Sequence, residues 1–358
     1  MISLKTPLIS LVILISTATA AQPSSAQVGD LKDPQYKPTS AQLTKAGAFK
    51  KSPPYNVVLA MPGLFTTWLI QETEEVRHEA TLHPEIGKLT VISSDSNAAR
   101  QAADLEDQIT KGVDAIVVSP VSSTAINAQI AKAAAKGIPV VTFTATASSD
   151  QVAVAVLSGG APEGKIMADW LAKQLGGKGS IWAFRGIAGN TEDTDRYAGL
   201  AQSLKVTRLP VSAEVYADWN YAKGKQACES LLLSGKPVDG IWASGGEMSR
   251  GCLEVFQEVG KAPVPVTGEG NNGFLRAAQK SGGPFVAYIY PPSLGPVALR
   301  AALLLLEGDQ MYRSYWSDGG EVITRENLTK YYRPDLNDSY WVGSLLPDAT
   351  LKHLYQNK

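Results

Sequence analysis

Between Leu89 and Phe143 the chain alternates short apolar runs with amphipathic stretches. The run LTVIS precedes a stretch with apolar residues at Ala98, Ala102, Leu105 and Ile109, the spacing of one helix face. GVDAIVVSP carries no charge after Asp114, as expected of a strand covered on both faces. A second helix, capped near Ser122 or Ser123 and apolar at Ile126, Ile130 and Ala133, ends at Gly137 and leads into IPVVTF. Strand, helix, strand at this spacing predicts right-handed crossovers and a parallel sheet. The pattern recurs in GSIWAFRG, SAEVYADWN, VDGIWASGG and VPVTGEG, with helical stretches such as YAKGKQACESLLLSG and MSRGCLEVFQEVG between them. Two α/β units are therefore expected.

The length of 358 residues suits two domains, and 44% hydrophobic with 19% charged residues is an ordinary globular balance. A formal charge of −1 argues against nucleic acid or an anionic membrane as a partner. The N-terminus, MISLKTPLISLVILISTATAAQPSSAQ, has one basic residue, an apolar run from Leu8 to Ile15 and then small residues. That is the layout of a secretory signal over residues 1–26, cleaved after Ala20 or Ala26, since the run is far shorter than the ~20 residues that cross a bilayer. No cysteine lies near those boxes, so a free, unlipidated mature chain is expected. Residues 27–54, with several Pro, Lys and Ser, read as a flexible lead-in. Leu299 to Leu306 reads as a buried helix, being too short to span.

The cysteines are Cys228 and Cys252. The first shares a helix face with Leu231 and Leu232, and the second falls on the stripe Met248, Cys252, Val255, Val259 of the next helix. Crossovers of one hand place those helices side by side. A disulfide, favoured by an oxidising compartment, and a pair of buried thiols both fit.

Other strings carry little chemistry. GGAPEGK, from Gly159 to Lys165, matches most of a phosphate-binding loop, but Ile166 stands where a hydroxyl must meet Mg²⁺, so it reads as a turn into a helix. Gly268, Gly270 and Gly273 have dinucleotide-turn spacing, yet Tyr288 and Tyr290 occupy the region where the acidic partner belongs. His78, His83 and His353 are scattered, and there is neither an HExxH pair nor a GxSxG elbow, so no metal or serine-triad chemistry is predicted. The sequons at Asn327 and Asn337 read as idle in a bacterial-looking export context.

In order along the chain, MPGLFTTWLIQETEEVRHEA, GVDAIVVSPVSSTAINAQIAKAAAKGIPVVTF, GIAG followed by Arg196, ADWNYAKGKQACESLL, GEMSRGCLEVF and PPSLGPVALRAALLLLEG resemble periplasmic sugar-binding proteins of the ribose and galactose type, the type I substrate-binding components of ABC transporters. The resemblance runs from Tyr55 to Asp309 and fades beyond Met311. It implies an α/β fold of two Rossmann-like, doubly wound parallel-sheet lobes joined by a three-segment hinge, with crossings near Ser158, near Ala287 and around Ser317 to Val322. The implied N-terminal lobe is 55–158 with 287–320, the C-terminal lobe is 159–286, and 321–358 is an extension packed on the lobes. Ligand would lie between the carboxyl ends of both sheets, where open α/β sheets bind.

The same resemblance places Trp68 and Leu69 on the family's pair of aromatic positions after the first strand, beside Phe65 and Thr66. Trp219 falls on the second lobe's aromatic position and Arg196 on the arginine that hydrogen-bonds sugar hydroxyls. An aromatic face suits the C–H face of a sugar, and a planar guanidinium holds two oxygens in fixed geometry. Thr144 and Ala145 replace an Asp-Arg pair, Gly245 replaces an Asn, and Gly270 stands near an expected Asp, which disfavours ribose itself. Asp95, Asn220, Glu247, Glu269 and Asn271 are candidates for the missing acceptors, and Tyr288 and Tyr290 add bulk and hydroxyls at the second crossing. Trp170, Trp182 and Trp242 are assigned to packing. Alanine at Trp219 or Arg196 should then weaken binding while the unliganded protein melts nearly as before.

The expected function is that of a monomeric periplasmic solute-binding component of a Gram-negative ABC importer, which captures a monosaccharide or polyol by hinge closure and delivers it to an inner-membrane permease. No enzyme activity, cofactor or metal is implied. The alternatives are a ligand sensor docking on a chemoreceptor or histidine kinase, and an α/β enzyme acting on a sugar.

Overall fold

The computed structural model describes residues 27–357, and the secretory signal read at 1–26 lies outside them. The chain runs through β1 (Tyr36–Pro38), β2 (Tyr55–Met61), α1 (Thr67–Thr81), β3 (Ile86–Ser93), α2 (Ala98–Lys111), β4 (Ala115–Val118), α3 (Asn127–Ala135), β5 (Val140–Thr144) and β6 (Val154–Ser158). It continues through α4 (Gly160–Gln174), β7 (Ile181–Arg185), α5 (Thr191–Thr207), β8 (Val211–Tyr216), α6 (Tyr221–Leu233), β9 (Gly240–Ala243), α7 (Gly246–Glu258), β10 (Val266–Glu269), α8 (Asn272–Ser281) and β11 (Phe285–Tyr288). The last elements are α9 (Leu294–Glu307), β12 (Ser314–Ser317), α10 (Leu328–Tyr331) and α11 (Asp348–Tyr355).

Two sheets result, ordered β1-β12-β6-β5-β4-β2-β3 and β11-β10-β9-β7-β8. Every pairing is parallel except that of β1 with β12. The uncharged runs AIVV of β4 and GIWA of β9 are buried throughout, as central strands covered on both faces must be. In each sheet the strand order reverses between the first and third strands of the lobe, β2/β4 and β7/β9. Such switch points open a crevice at the strand carboxyl ends.

The helices follow local signals with one exception. In α2, Asn97 caps the N-terminus by accepting from the Arg100 N–H at 2.9 Å, Leu105 and Ile109 are buried, and Gly112 closes the helix at φ 76°. Helix α3 starts at Asn127, later than its predicted cap, because the Ser122 hydroxyl accepts from the Thr124 N–H at 3.3 Å and folds the segment as a turn instead. Trp182 and Trp242 are fully buried, and Trp170 packs partly exposed against the core. No described helix is long and apolar enough to cross a membrane, and Leu299 to Leu306 lies within the buried α9.

The chain passes between the sheets at Gly159, over 289–293 and over 318–322, so Ala287 itself still belongs to the second sheet. Residues 27–54, expected as a flexible lead-in, instead belong to the first lobe. β1 forms its edge strand, and further backbone bonds tie Gly29 to Gln310 and Thr44 to Met311, each at 2.8 Å. The expectation failed because Pro and Lys mark an edge strand as readily as a linker.

The C-terminal extension is a strap. Ile323 exchanges two backbone bonds of 2.8 Å with Ala287, covering the open edge of β11. The Asn272 side chain then donates to the carbonyls of Arg333 and Leu336, and Val342 N–H donates to Gly270 at 2.8 Å. Between these anchors on the second lobe, Trp341 reaches the first. Its N–H donates to Gln71 Oε1 at 2.8 Å, its carbonyl accepts from Gln71 Nε2 at 2.9 Å, and Leu345 N–H donates to Glu75 at 3.0 Å. Burial pushes the Glu75 carboxyl up to about 7, against the hydrogen bonds it accepts from Leu345, Ser344 and Gln71.

Cys228 and Cys252 are joined as a disulfide between α6 and α7, with Cα atoms 5.3 Å apart. Val259, expected on the buried stripe of α7, is 62% exposed, since the helix ends at Glu258.

Candidate ligand-binding site

The carboxyl ends of both sheets face one cavity of about 300 Å³. From the first lobe come the loop after β2 with the first turn of α1 (Phe65, Thr66, Trp68, Leu69), Ser96 after β3, Ser119 after β4 and Thr144 at the end of β5. From the second come Asn190, Glu192 and Arg196 at and beyond the start of α5, Trp219 before α6, Gly245 and Glu247 at the start of α7, and Glu269 ending β10. Tyr290 of the second crossing and Trp341 of the strap complete the wall.

The first-lobe side presents neutral hydroxyls. Thr66 caps α1, its Oγ1 accepting from Leu69 N–H at 3.2 Å, which leaves its own hydrogen for another acceptor. Ser119 and Thr144 share a 2.6 Å hydrogen bond, and Thr144 holds a left-handed φ of 62°. Strain of that kind in a non-glycine residue is concentrated at binding sites. Trp68 is fixed by Nε1 donating to the Tyr290 carbonyl at 2.9 Å, with the two rings 4.9 Å apart.

The second-lobe side is built around Arg196, which is only 2% exposed. Its Nε donates to Glu192 at 2.9 Å and lies 3.2 Å from Glu163, while Nη1 donates to the Ser244 carbonyl at 2.5 Å and pairs with Glu269 at 2.7 Å. Glu163 arrives from α4 because Gly164 lets that helix press on α5: a Cβ there would sit 1.9 Å from the Arg196 carbonyl. This explains the glycine in GGAPEGK without any phosphate. Burial raises the carboxyls of Glu163, Glu192 and Glu269 above the usual range, with the Arg196 charge opposing it. Burial also works against the Arg196 charge, but Glu163, Glu269 and Glu192 overcome it and hold the guanidinium protonated.

Trp219 is held at φ 51°, with Nε1 donating to the Ser244 carbonyl at 3.1 Å. A Cβ on Gly245 would come within 2.7 Å of the Trp219 ring, so the volume of the expected Asn is taken up by the indole. The lobes meet across the cleft where Thr67 Oγ1 donates to Glu247 Oε1 at 2.9 Å. Trp341 Nε1 in turn donates to Thr67 at 2.7 Å, so strap, first lobe and second lobe share one hydrogen-bonded chain. Trp341→Phe keeps the ring but loses that donor, and should lower the stability of the unliganded protein by about 1 kcal/mol. Thermal unfolding of the variant beside its parent checks this.

Four of the expected site residues lie off the cavity wall. Asp95 is exposed and pairs with Arg100 at 2.5 Å, while its neighbour Ser96 takes the place on the wall. Asn220 and Asn271 are helix caps, accepting from Lys223 N–H at 3.1 Å and Phe274 N–H at 3.0 Å. Loops at strand ends lead straight into helices, so an Asn there caps before it can serve a ligand. Tyr288 ends β11 and is buried in the core beside Ser158 and Gly159. Conversely, Glu192 and Trp341 were not anticipated. The four-residue spacing from Glu192 to Arg196 was the available signal for the former, whereas the latter lies beyond the stretch carrying the resemblance.

A family profile described as a periplasmic binding protein domain matches residues 57–310. The ribose import binding protein RbsB of Bacillus subtilis is 27% identical over 227 residues, covering 63% of this chain and 74% of that protein. The xylitol-binding protein of Mycolicibacterium smegmatis is 32% identical over 182 residues, 49% of this chain and 51% of that one. An ABC transporter solute binding protein of Bacillus halodurans with bound myo-inositol superposes with a TM-score of 0.69 at 23% identity, over 78% of this chain and 98% of that one. An ABC transporter solute binding protein of Thermobispora bispora gives 0.72 at 20% identity, over 84% and 94%. With the matched residues supplying most strands of both sheets and nearly all of the cavity wall, the chain belongs to the periplasmic binding protein domain family.

Proposed function

We propose that the protein is the solute-binding component of an ABC importer, enclosing a monosaccharide or polyol between its lobes and presenting the closed form to a membrane permease. The observation that carries this is the cavity itself: it lies at the switch points of two facing sheets, with hydroxyls and the rings of Phe65 and Trp68 on one side and Trp219, Arg196 and carboxylates on the other. Its volume is at the low end of the range for small-molecule sites, about 300 to 1,000 Å³, which suits a single small ring. Relatives named for ribose and xylitol, and a structural neighbour holding myo-inositol, support a small polyhydroxylated ligand. Ligand bridging the lobes would favour the arrangement in which Thr67 meets Glu247, because only that state offers both walls at once. The N-terminal signal supports delivery to the periplasm, where a monomer would meet its permease.

A thermal-shift screen of the mature protein against sugars and polyols tests this, since ligand at about 100 times its dissociation constant adds roughly 2.7 kcal/mol to native stability. Trp219→Ala should weaken the best ligand by at least about tenfold, measured by calorimetric titration, because it removes an aromatic platform from the cavity wall. Unchanged affinity in that variant would place the binding cleft elsewhere.

A further inference from the structure

Charge is distributed unequally across the cavity. The first lobe contributes only neutral hydroxyls and apolar groups, whereas the second contributes the carboxylates of Glu192, Glu247 and Glu269 and a single cation, Arg196. Arg196 does not balance them, because Glu163 behind it makes a further claim on the same guanidinium. The carboxylates also feel one another: Glu269 acts on Glu247, and Glu192 on Glu269, in each case opposing ionisation beyond what burial does. Burying an excess of like charge is costly unless the acids take up protons or a counter-charge arrives, and only the second lets them stay ionised.

The remaining groups favour a counter-charge brought by the ligand. Glu192 and Glu247 hold their partners through Oε1, and Oε2 of each makes no hydrogen bond to the described residues. Tyr290, 5% exposed and on the cavity wall, has a buried hydroxyl without a hydrogen-bond partner among the described residues. Aromatic faces attract cations, and Trp219 and Tyr290 already flank one, with the Arg196 carbon at 5.8 and 4.6 Å from their ring centres.

We propose that the ligand is a polyhydroxylated ring carrying one positively charged nitrogen, an amino sugar or amino polyol, with its ammonium toward Glu192, Glu247 and Glu269 and its hydroxyls against Thr66, Ser96, Ser119 and Thr144. The proposal rests on the solute-binding function above and narrows its ligand class. An ammonium donates three hydrogen bonds and accepts none, which matches a wall of carboxylate acceptors. A neutral polyol of the same outline fills the space but leaves the charge excess in place.

The test is calorimetric titration of the mature protein with matched sets: hexoses, the corresponding hexosamines and their N-acetyl derivatives, together with inositols and aminodeoxyinositols. The expected result is that at least one amine binds tenfold or more tighter than its hydroxyl counterpart, and that N-acetylation, which keeps the nitrogen but removes the charge, abolishes the advantage. Glu247→Gln, which keeps an oxygen to accept from Thr67 but removes the charge, should then lower the affinity for the amine at least tenfold more than that for its neutral counterpart. Neutral sugars or polyols binding as tightly as their amines throughout the panel would overturn the cationic ligand while leaving the solute-binding function standing. Failure of every compound to bind would overturn both.

Discussion

Arg196→Ala should lower both stability and affinity by large amounts. The residue was expected from sequence to be a cleft group whose loss leaves the unliganded protein melting nearly as before. At 2% exposure among Glu163, Glu192 and Glu269, however, it is, among the described residues, the one cation paired with this knot of buried acids. Removing one partner of a buried ion pair costs about 3 to 5 kcal/mol, a large share of the roughly 5 to 15 kcal/mol that holds a typical domain together. Binding of a neutral sugar or polyol should fall at least about tenfold as well, since a donor is lost from the cavity wall. The pH dependence has a definite sign. Burial raises the three carboxyls, so each gains a proton more readily when folded than when unfolded. Without Arg196 the stability lost should be greatest at high pH and shrink as the pH falls and those groups are neutralised. Urea unfolding of the parent and variant between pH 5 and 8 is the measurement, and a variant as stable as its parent at pH 8 would show that the acids do not depend on this guanidinium.

Replacing both cysteines, Cys228→Ala with Cys252→Ala, should lower stability by about 3.5 kcal/mol, the value that chain entropy gives for a loop of this length. The bridge joins residues 24 positions apart and ties α6 to α7, the helices that follow Trp219 and Gly245. Affinity should change little, because those helices also pack on each other along their length through Gly224 and Met248, where a Cβ would approach to 2.6 Å. Thiol titration of the parent, unfolded but unreduced, decides whether the bridge forms: no reactive thiol is expected, and two would leave the pair as core packing alone. An oxidising compartment is where such a bridge persists.

Much of the architecture was legible because it is local. Uncharged runs such as AIVV and stripes such as Leu105 and Ile109 report burial directly, and one-handed crossovers turn their order into sheets and put Cys228 beside Cys252. The cavity was legible in part for the same reason, since strand ends and ligand loops coincide. That coincidence also misled, because Asn220 and Asn271 stand at strand ends only to cap helices. What stayed hidden is non-local. Glu163 meets Arg196 through a helix contact that depends on Gly164, and Trp341 reaches Thr67 across 274 residues. The first strand β1 escaped notice because its three residues carry no alternation to read.

The pairing of β1 and β6 with β12 also sets an order of assembly. In a chain made from its N-terminus, residues 160–288 supply every strand of the second sheet before α9 or β12 has been synthesised. The lobe whose sequence comes first must wait, with one edge of β6 unpaired, for a strand that closes a separation of more than 150 residues. Closing so long a loop delays non-local pairing, so the second lobe should be folded while the first is still incomplete. That interval is the vulnerable one: an open, apolar strand edge is a template for association with other chains. The strap and β12 therefore finish the fold and end its exposure in the same late step.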